Sequence, residues 1–467
     1  MLVDIPGCCP RSASGNGEAG LLRTGWSLCG DLNDCGDSGS RRAIDFDAVN
    51  CRRELGRTFL RGGKLADQLG NRQSSDQNDT RPSICFVLTS PFVLNAFLLD
   101  HLRALADDYR ITVCINTDES PVSPRLDPRI ELMAFPIQRK VHPGKDFQSL
   151  AWLIRLFRRK RFDAVHSITP KGGLLGMLAA YMCGVPMRTH IFTGQVWATC
   201  KGFKRHVLKA MDRLLAICAT DLMADSQSQA RFLEQEGICR PGRIHVCGSG
   251  SVNGVDLLRF SNEPGRREKV RAELALPPEA TVFLFLGRLN LEKGVLDLAE
   301  AFAQLAMRHA SVFLVLVGPD EGGLAKEIVG RLGGNSGQLR LVGLTTFPES
   351  YIDAADVLCL PSYREGFGSV VIEAAAMGVP AVASCIYGLT DAVVDGVTGI
   401  LCPPGDPRAL SAAMEKMLNE SARQRLGVQA RRRAHGEFSI ERLTAFWRAF
   451  YAQRLLGMQY ESLSHRS

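Results

Sequence analysis

No run of apolar residues approaches the ~20 that a helix needs to cross a bilayer, so no membrane-spanning helix is expected. The opening residues, Met1-Leu-Val-Asp-Ile-Pro, lack the basic start and apolar core of a secretory signal, and a cytoplasmic location is the expectation. Charge of one sign is also in short supply. A net charge of +7 with 22% charged residues gives little reason to expect a nucleic-acid partner. Cysteine is plentiful at 15 residues, but metal-type pairs are missing: Cys8 and Cys9 are adjacent and the others are scattered. Cys85, Cys114 and Cys359 fall in apolar strand-like runs, where a buried, reduced thiol is the expected state.

A chain of 467 residues is too long for a single core and points to about two or three domains. Residues 1–80 are rich in Gly, Ser, Asn, Asp and Arg and lack periodicity, so they are read as a disordered extension. Asp45-Phe46-Asp47 formally matches an Asp-x-Asp metal motif there, and is read as coincidence.

Beyond residue 80, short apolar runs alternate with helical patterns. Strands are expected at 83–88, 111–115, 130–135, 164–168, 188–192, 221–225 and 243–247. Helices are expected through Leu105, over 146–160 and from Pro170 to Cys183, with Thr89–Asn95 as a connecting loop. Gly248-Ser-Gly250 lacks dinucleotide-fold spacing and is weak support for NAD. The polar stretch 261–280 marks a domain boundary. A second alternating set follows, with runs at 281–286, 312–317, 339–342, 357–361, 381–384, 392–394 and 399–402. Helices are placed after Gly294, at 324–332, 348–355 and 407–418, and finally from Ile440 to Leu456. The expected fold class is α/β, with two doubly wound Rossmann-like domains in tandem: 81–260, 261–437 and a terminal helix over 438–460. In such sheets ligands bind beyond the carboxyl ends of the strands.

Tyr363-Arg-Glu-Gly-Phe-Gly-Ser-Val-Val-Ile-Glu373 occupies one such position. Glu365 lies on a strand-to-helix loop, Gly366-Phe367-Gly368 opens the helix, and Glu373 lies more than one turn inside it. Glycines let backbone N–H groups approach a ligand, and the helix start favours an anion such as phosphate. Arg288 and Lys293 follow a strand at the same sheet edge. Arginine can grip a diphosphate through paired hydrogen bonds and lysine as a point charge. Two carboxylates beside this anion site fit a ligand with both hydroxyls and phosphates, such as a nucleotide-sugar.

Gly287-Arg288-Leu…Lys293-Gly294, followed by Glu365-x7-Glu373, closely resembles the retaining family 4 glycosyltransferases of GT-B fold. Ala224-Asp-Ser226, Asn253-Gly-Val-Asp256 with Phe260, Asp395-Gly-x-Thr-Gly399 and Pro403-Pro-Gly-Asp406 extend the resemblance over roughly residues 83–455. Thr193-Gly-Gln-Val-Trp-Ala-Thr199 with Lys201-Gly-Phe-Lys204 is similar to bacterial capsule, O-antigen and exopolysaccharide transferases.

The resemblance implies that Glu365, Arg288 and Lys293 carry catalysis. Glu365 would meet the donor sugar and Arg288 with Lys293 the diphosphate. Gly287, Glu373, Gly366, Phe367, Gly368, Ser369 and Val370 would complete the donor site, Glu373 by binding ribose. No metal or other cofactor is implied. The last helix is expected to cross back to the first domain. Relatives often carry His-Gly where this chain has Thr193-Gly194, and His190 nearby is read as structural. Asn95, Lys171, Thr193 and Gly194 are the acceptor-side candidates.

Basic amphipathic stretches at Trp152–Arg161 and Trp197–Arg213 fit an anionic membrane surface, and equally fit core-facing helices with solvated basic faces. The resulting expectation is a hexosyl or N-acetylhexosaminyl transferase, with uridine the commonest donor base among relatives. Its acceptor would be a lipid-linked saccharide at the inner face of the plasma membrane. A GT-B-fold nucleotide-sugar 2-epimerase and a non-catalytic nucleotide-sugar-binding subunit remain the alternatives.

Overall fold

A computed structural model of the chain describes residues 79–118, 120–138 and 142–464. The extension through Asn78, with Cys8, Cys9 and the Asp45-Phe46-Asp47 motif, lies outside them.

The first domain runs β1 (Ser83–Val87), α1 (Pro91–Phe97), α2 (Leu99–Leu105), β2 (Arg110–Ile115), β3 (Glu131–Ala134), α3 (Pro143–Lys160), β4 (Ala164–Ile168), α4 (Pro170–Met182), β5 (Met187–Phe192), α5 (Gly202–Cys218), β6 (Asp221–Ala224), α6 (Gln227–Gln235) and β7 (Ile244–Val246). Its strands form one parallel sheet ordered β3-β2-β1-β4-β5-β6-β7. β1 shows why both faces are covered. Ile84 and Phe86 enter one apolar core and Cys85 and Val87 the opposite one, as a strand with side chains on alternate faces must when helices flank it on both sides. The expected loop Thr89–Asn95 is helical from Pro91, whose fixed φ and missing N–H suit the first helical position. Cys85, Cys114 and Cys359 are buried free thiols.

The second domain contains α7 (Arg266–Glu273), β8 (Thr281–Leu286), α8 (Val295–Ala306), β9 (Val312–Val317), α9 (Ala325–Leu332), β10 (Leu339–Val342), α10 (Pro348–Ala354), β11 (Val357–Leu360), α11 (Ser369–Ala376), β12 (Ala381–Ser384), α12 (Leu389–Ala392), β13 (Gly399–Cys402), α13 (Pro407–Lys416) and α14 (Glu420–Glu437). Its parallel order is β10-β9-β8-β11-β12-β13.

Two local readings change here. The stretch 261–280 contains α7, whose polarity is spent on α10 and its exit: Arg266 pairs with Asp353 at 2.7 Å, and Arg267 and Arg271 each reach Asp356 at 2.7 Å. Ala392-Val-Val394 is no strand. It ends α12 and enters a turn in which the Val394 N–H donates to Thr398 Oγ1 at 2.8 Å.

The final helix, α15 (Ile440–Ser464), leaves the second domain and packs on α2. Trp447, Tyr451 and Leu455 enter the same core as Ile84 and Phe86. His101 Nδ1 lies 2.7 Å from Thr444 Oγ1, and His166 Nδ1 meets the Tyr451 hydroxyl. Burial holds both imidazoles neutral, pushing His101 down to about 4 and His166 to about 3. The chain passes between domains twice at one place. The Val255 N–H donates to Phe438 O at 2.7 Å, and the Ile440 N–H to Val255 O at 2.9 Å. The second core reaches back to include Val255 and Phe260.

Candidate active site

In each sheet the strand order reverses direction at one point, where the loops leaving adjacent strands diverge and open a crevice. In the second domain this falls between β8 and β11, so Gly287–Gly294 and Pro361–Gly368 face the same opening. In the first it falls between β1 and β4, where Thr89 Oγ1 and Thr169 Oγ1 lie 2.5 Å apart. Thr169 has φ of 79°, a left-handed conformation that a β-branched residue rarely adopts.

Lys293 and Glu365 meet at the second-domain crevice. Lys293 Nζ lies 2.5 Å from Glu365 Oε1, which also accepts from Ser362 Oγ at 2.7 Å. A short 3-10 turn sets the lysine backbone, with its N–H donating to Asn290 Oδ1 at 3.2 Å. Arg288 pairs with Glu321 at 2.9 Å, both side chains being 34% exposed, so the guanidinium can exchange partners at little expense.

Gly368, at φ of 84°, turns the chain into α11, whose first N–H groups have no partner within the helix. Phe367 is buried against Phe438, with ring centroids 5.3 Å apart, so its side chain anchors the loop. Ser369 Oγ donates to Asn253 Oδ1 at 3.2 Å. Glu373 is pushed up to about 7 by burial, which the Arg259 charge opposes and the Glu349 charge reinforces. Fixed cations and a helix start can neutralise a polyanion here, while Glu365 and Glu373 offer acceptors for hydroxyl groups.

Gly194 lies directly against the Glu365 loop. Arg364 Nη1 donates to Gly194 O at 2.6 Å, and a Cβ on Gly194 would sit 3.1 Å from the Glu365 and Gly366 backbone. Thr193 O accepts from Gln195 and Gln229 at 2.6 and 2.8 Å, which holds the loop in place. Asp225, just past β6, closes the seam. A Cβ on Gly366 would lie 2.1 Å from Asp225 Oδ2, so only glycine allows this approach. Ser226 Oγ donates to Gly366 O at 3.1 Å, and Phe232 stacks on Tyr387 at 4.5 Å. Burial first, and then the Glu365 charge, push the Asp225 carboxyl up to about 8. In the sequence Asp225 stands at the end of an expected strand and within the Ala224-Asp-Ser226 motif, with no site role, and Arg364 carries no expected role either. The one available signal was that Asp225 closes a strand at the ligand-binding edge.

The remaining candidates sit further out. Asn95 lies on α1 with both ends of its amide engaged, donating to Pro121 O at 3.0 Å and accepting from the Ser123 N–H at 2.9 Å. Lys171, at the start of α4, pairs with Asp146 at 2.5 Å and donates to Gln138 O at 2.7 Å. His190 is buried in β5 with Nδ1 2.9 Å from Ser167 Oγ, a structural placement. Among the described residues no three His, Cys, Asp or Glu side chains are grouped to hold a metal ion.

Two parallel-sheet domains facing one crevice are the GT-B architecture. Solved structures agree. The Anabaena Alr3699/HepE structure with UDP and glucose aligns at a TM-score of 0.66 and 20% identity, covering 80% of this chain and all of that one. WaaG, a glycosyltransferase involved in lipopolysaccharide biosynthesis, aligns at a TM-score of 0.59 and 18% identity, covering 76% of this chain and 95% of that one.

In sequence, residues 266–433 match the glycosyl transferases group 1 family and residues 94–250 a glycosyl transferase 4-like domain. The capsular polysaccharide biosynthesis glycosyltransferase CapM of Staphylococcus aureus is 32% identical over 66% of this chain and 80% of its own length. An Escherichia coli UDP-Gal:alpha-D-GlcNAc-diphosphoundecaprenol alpha-1,3-galactosyltransferase is 26% identical over 69% and 84%. A D-inositol 3-phosphate glycosyltransferase of Catenulispora acidiphila is 32% identical, the match spanning 63% of that protein. The chain belongs to the group 1 glycosyltransferases.

Proposed function

We propose that this glycosyltransferase moves a hexose or N-acetylhexosamine from a UDP-sugar to a lipid-linked saccharide, with retention at the anomeric carbon, in the synthesis of a cell-surface polysaccharide. The observation that carries the reading is the Lys293–Glu365 pair beside Arg288 and the start of α11. Lysine has three donors, so Lys293 can hold a diphosphate oxygen without releasing Glu365. Arg288 would leave Glu321 for the same diphosphate, and the Gly368, Ser369 and Val370 amides would line its other side, with Gly287, Gly366 and Phe367 contributing backbone. Glu373 would bind ribose hydroxyls and Glu365 the sugar. Charge developing on the departing diphosphate is then stabilised by groups already in place, and the reaction needs no metal. The acceptor oxygen would bond to the anomeric carbon on the face the diphosphate leaves, its proton passing to the departing phosphate oxygen as the sugar–diphosphate C–O bond breaks, so configuration is kept.

The acceptor side rests on likeness: the E. coli relative is named for a diphosphoundecaprenol-linked sugar and CapM for capsule synthesis. In this reading Thr193 and Gly194 border the incoming acceptor, Asn95 and Lys171 lie on its outer rim, and the enzyme works peripherally at the anionic inner face of the plasma membrane.

The test offers the full chain a panel of labelled nucleotide-sugars with membranes bearing lipid-linked saccharides, in EDTA, beside Glu365→Gln. One label should enter the lipid fraction with its anomeric configuration kept, and the variant should lose it. An inverted product refutes the retaining mechanism. Conversion of the donor without acceptor would reveal an epimerase, and donor binding without turnover a binding subunit.

A further inference from the structure

α5 is apolar on its solvent face as well as on the face that Leu215, Ala216 and Cys218 bury in the core. Its solvent face carries Phe203, Val207, Met211, Leu214 and Ile217, spaced by four, four, three and three residues and exposed by 84, 39, 38, 43 and 67%. Surface helices normally turn such a stripe inward. The cations of this helix are largely occupied elsewhere. Arg205 and Lys209 both pair with Glu236, at 2.8 and 2.5 Å, and each lies 5.3 Å from the centre of the Trp197 ring. Arg213 donates to Gly237 O at 2.8 Å. The one acid of the helix, Asp212, is buried and accepts from Trp197 Nε1 at 2.7 Å. An apolar stripe therefore faces outward with Lys201 and Lys204 exposed at its start and no carboxylate on it.

We propose that this stripe is the membrane-seating face of the enzyme, with Phe203, Leu214 and Ile217 entering the headgroup–acyl boundary and Lys201 and Lys204 meeting lipid phosphates. The inference rests on the lipid-linked acceptor proposed above and changes its physics. Seating is by insertion, with the basic residues secondary. Three observations favour a lipid surface as the occupant. Cations without acids on the exposed face match anionic headgroups, whereas a second copy of the same helix would bring no acid to meet the lysines. The helix follows directly on the Val196–Thr199 turn that leaves Thr193-Gly194, so its exposed start adjoins the acceptor-side rim. α3, α4 and α5 pack side by side on one face of the sheet, and α3 adds Phe147, 70% exposed, to that layer.

Full-length protein would be floated with phosphatidylcholine vesicles, with and without phosphatidylglycerol, at low and high salt. Binding should occur on both and persist in high salt. Phe203→Ser with Ile217→Ser should weaken it at least about tenfold on both vesicles and at both salt concentrations, whereas Lys201→Ala with Lys204→Ala should weaken it, by up to about 30-fold, only on phosphatidylglycerol vesicles at low salt. All four side chains are exposed, so unfolding midpoints should stay at the wild-type value. Binding that high salt abolishes, or that only the lysine variant loses, overturns the proposal. A lipid-free dimer that the Phe203/Ile217 variant dissociates overturns it in favour of a second copy. Transfer to a short-chain, water-soluble acceptor is measured in parallel: normal transfer without vesicle binding refutes this inference alone. Salt-resistant binding by a protein without transferase activity upholds the seating face and refutes the acceptor reading instead.

Discussion

Replacing Asp225 with asparagine should make the protein more stable, and increasingly so as pH rises. Asp225 is 8% exposed and, among the described residues, its Oδ1 has no hydrogen-bond partner. Lys293 and Ser362 both reach Glu365, while burial keeps the Asp225 carboxyl protonated. Its carboxyl is raised from 3.8 to about 8 in the fold. The sign follows from linkage. Below 3.8 the acid is neutral in both states and nothing is lost. Between the two values the unfolded chain ionises while the folded one does not, so stability falls as pH rises, and the loss levels off above about 8. That loss is about 2 kcal/mol at pH 5 and about 5 kcal/mol at pH 8.

Asp225→Asn keeps the shape of the neutral acid without its titration. Urea unfolding of variant and wild type, followed by circular dichroism at both pH values, isolates the effect, because other titrating groups such as Glu373 cancel in the difference. The stability gap should widen by about 3–4 kcal/mol from pH 5 to pH 8. Glu365→Gln should shrink part of the wild-type loss, since its charge is the second cause of the shift. A gap that is the same at both pH values, or that narrows, would refute the protonated assignment.

Three further outcomes are expected. Lys293→Met should lower the transfer rate at least about 100-fold in an initial-rate assay with a saturating donor, because it removes a cation from the leaving group; a loss below about threefold would count against the donor site. Gly366→Ala should abolish transfer, since its Cβ would lie 2.1 Å from Asp225 Oδ2, and adding Asp225→Ala should restore part of the rate if that collision is the cause. Tyr451→Ala removes a fully buried ring from beneath the first sheet, so urea unfolding should show a loss of about 3–5 kcal/mol.

Much of the fold is legible because its central strands are continuous apolar runs bounded by glycine or polar residues. Thr281–Leu286, Val312–Val317, Leu339–Val342 and Gly399–Cys402 fall where the pattern places them. Helices held by charge are harder to see. α7 buries only Val270 and Arg271 and is fastened by arginines, and α14 shows a narrow stripe of Leu426, Ala430 and Ala434 in a highly charged stretch. Ala392-Val-Val394 misleads in the opposite sense, since an apolar triplet can serve a helix end as readily as a strand. At the site, Arg288, Lys293 and Glu365 could be assigned to one sheet edge because each follows a strand. The Asp225–Gly366 approach could not be anticipated, because it joins positions far apart in the chain through the absence of a side chain.

The last helix also dictates an order of manufacture. Ile84 and Phe86 are among the first core residues to leave the ribosome, yet the side chains that cover them, Trp447, Tyr451 and Leu455, are among the last. The first domain therefore waits, its core on that face closed by Leu94, Leu99 and Leu102 but not by α15, while the second domain is translated. A chain truncated before Trp447 would leave that part of the first core open, so completion of the first core depends on the helix that follows the second domain.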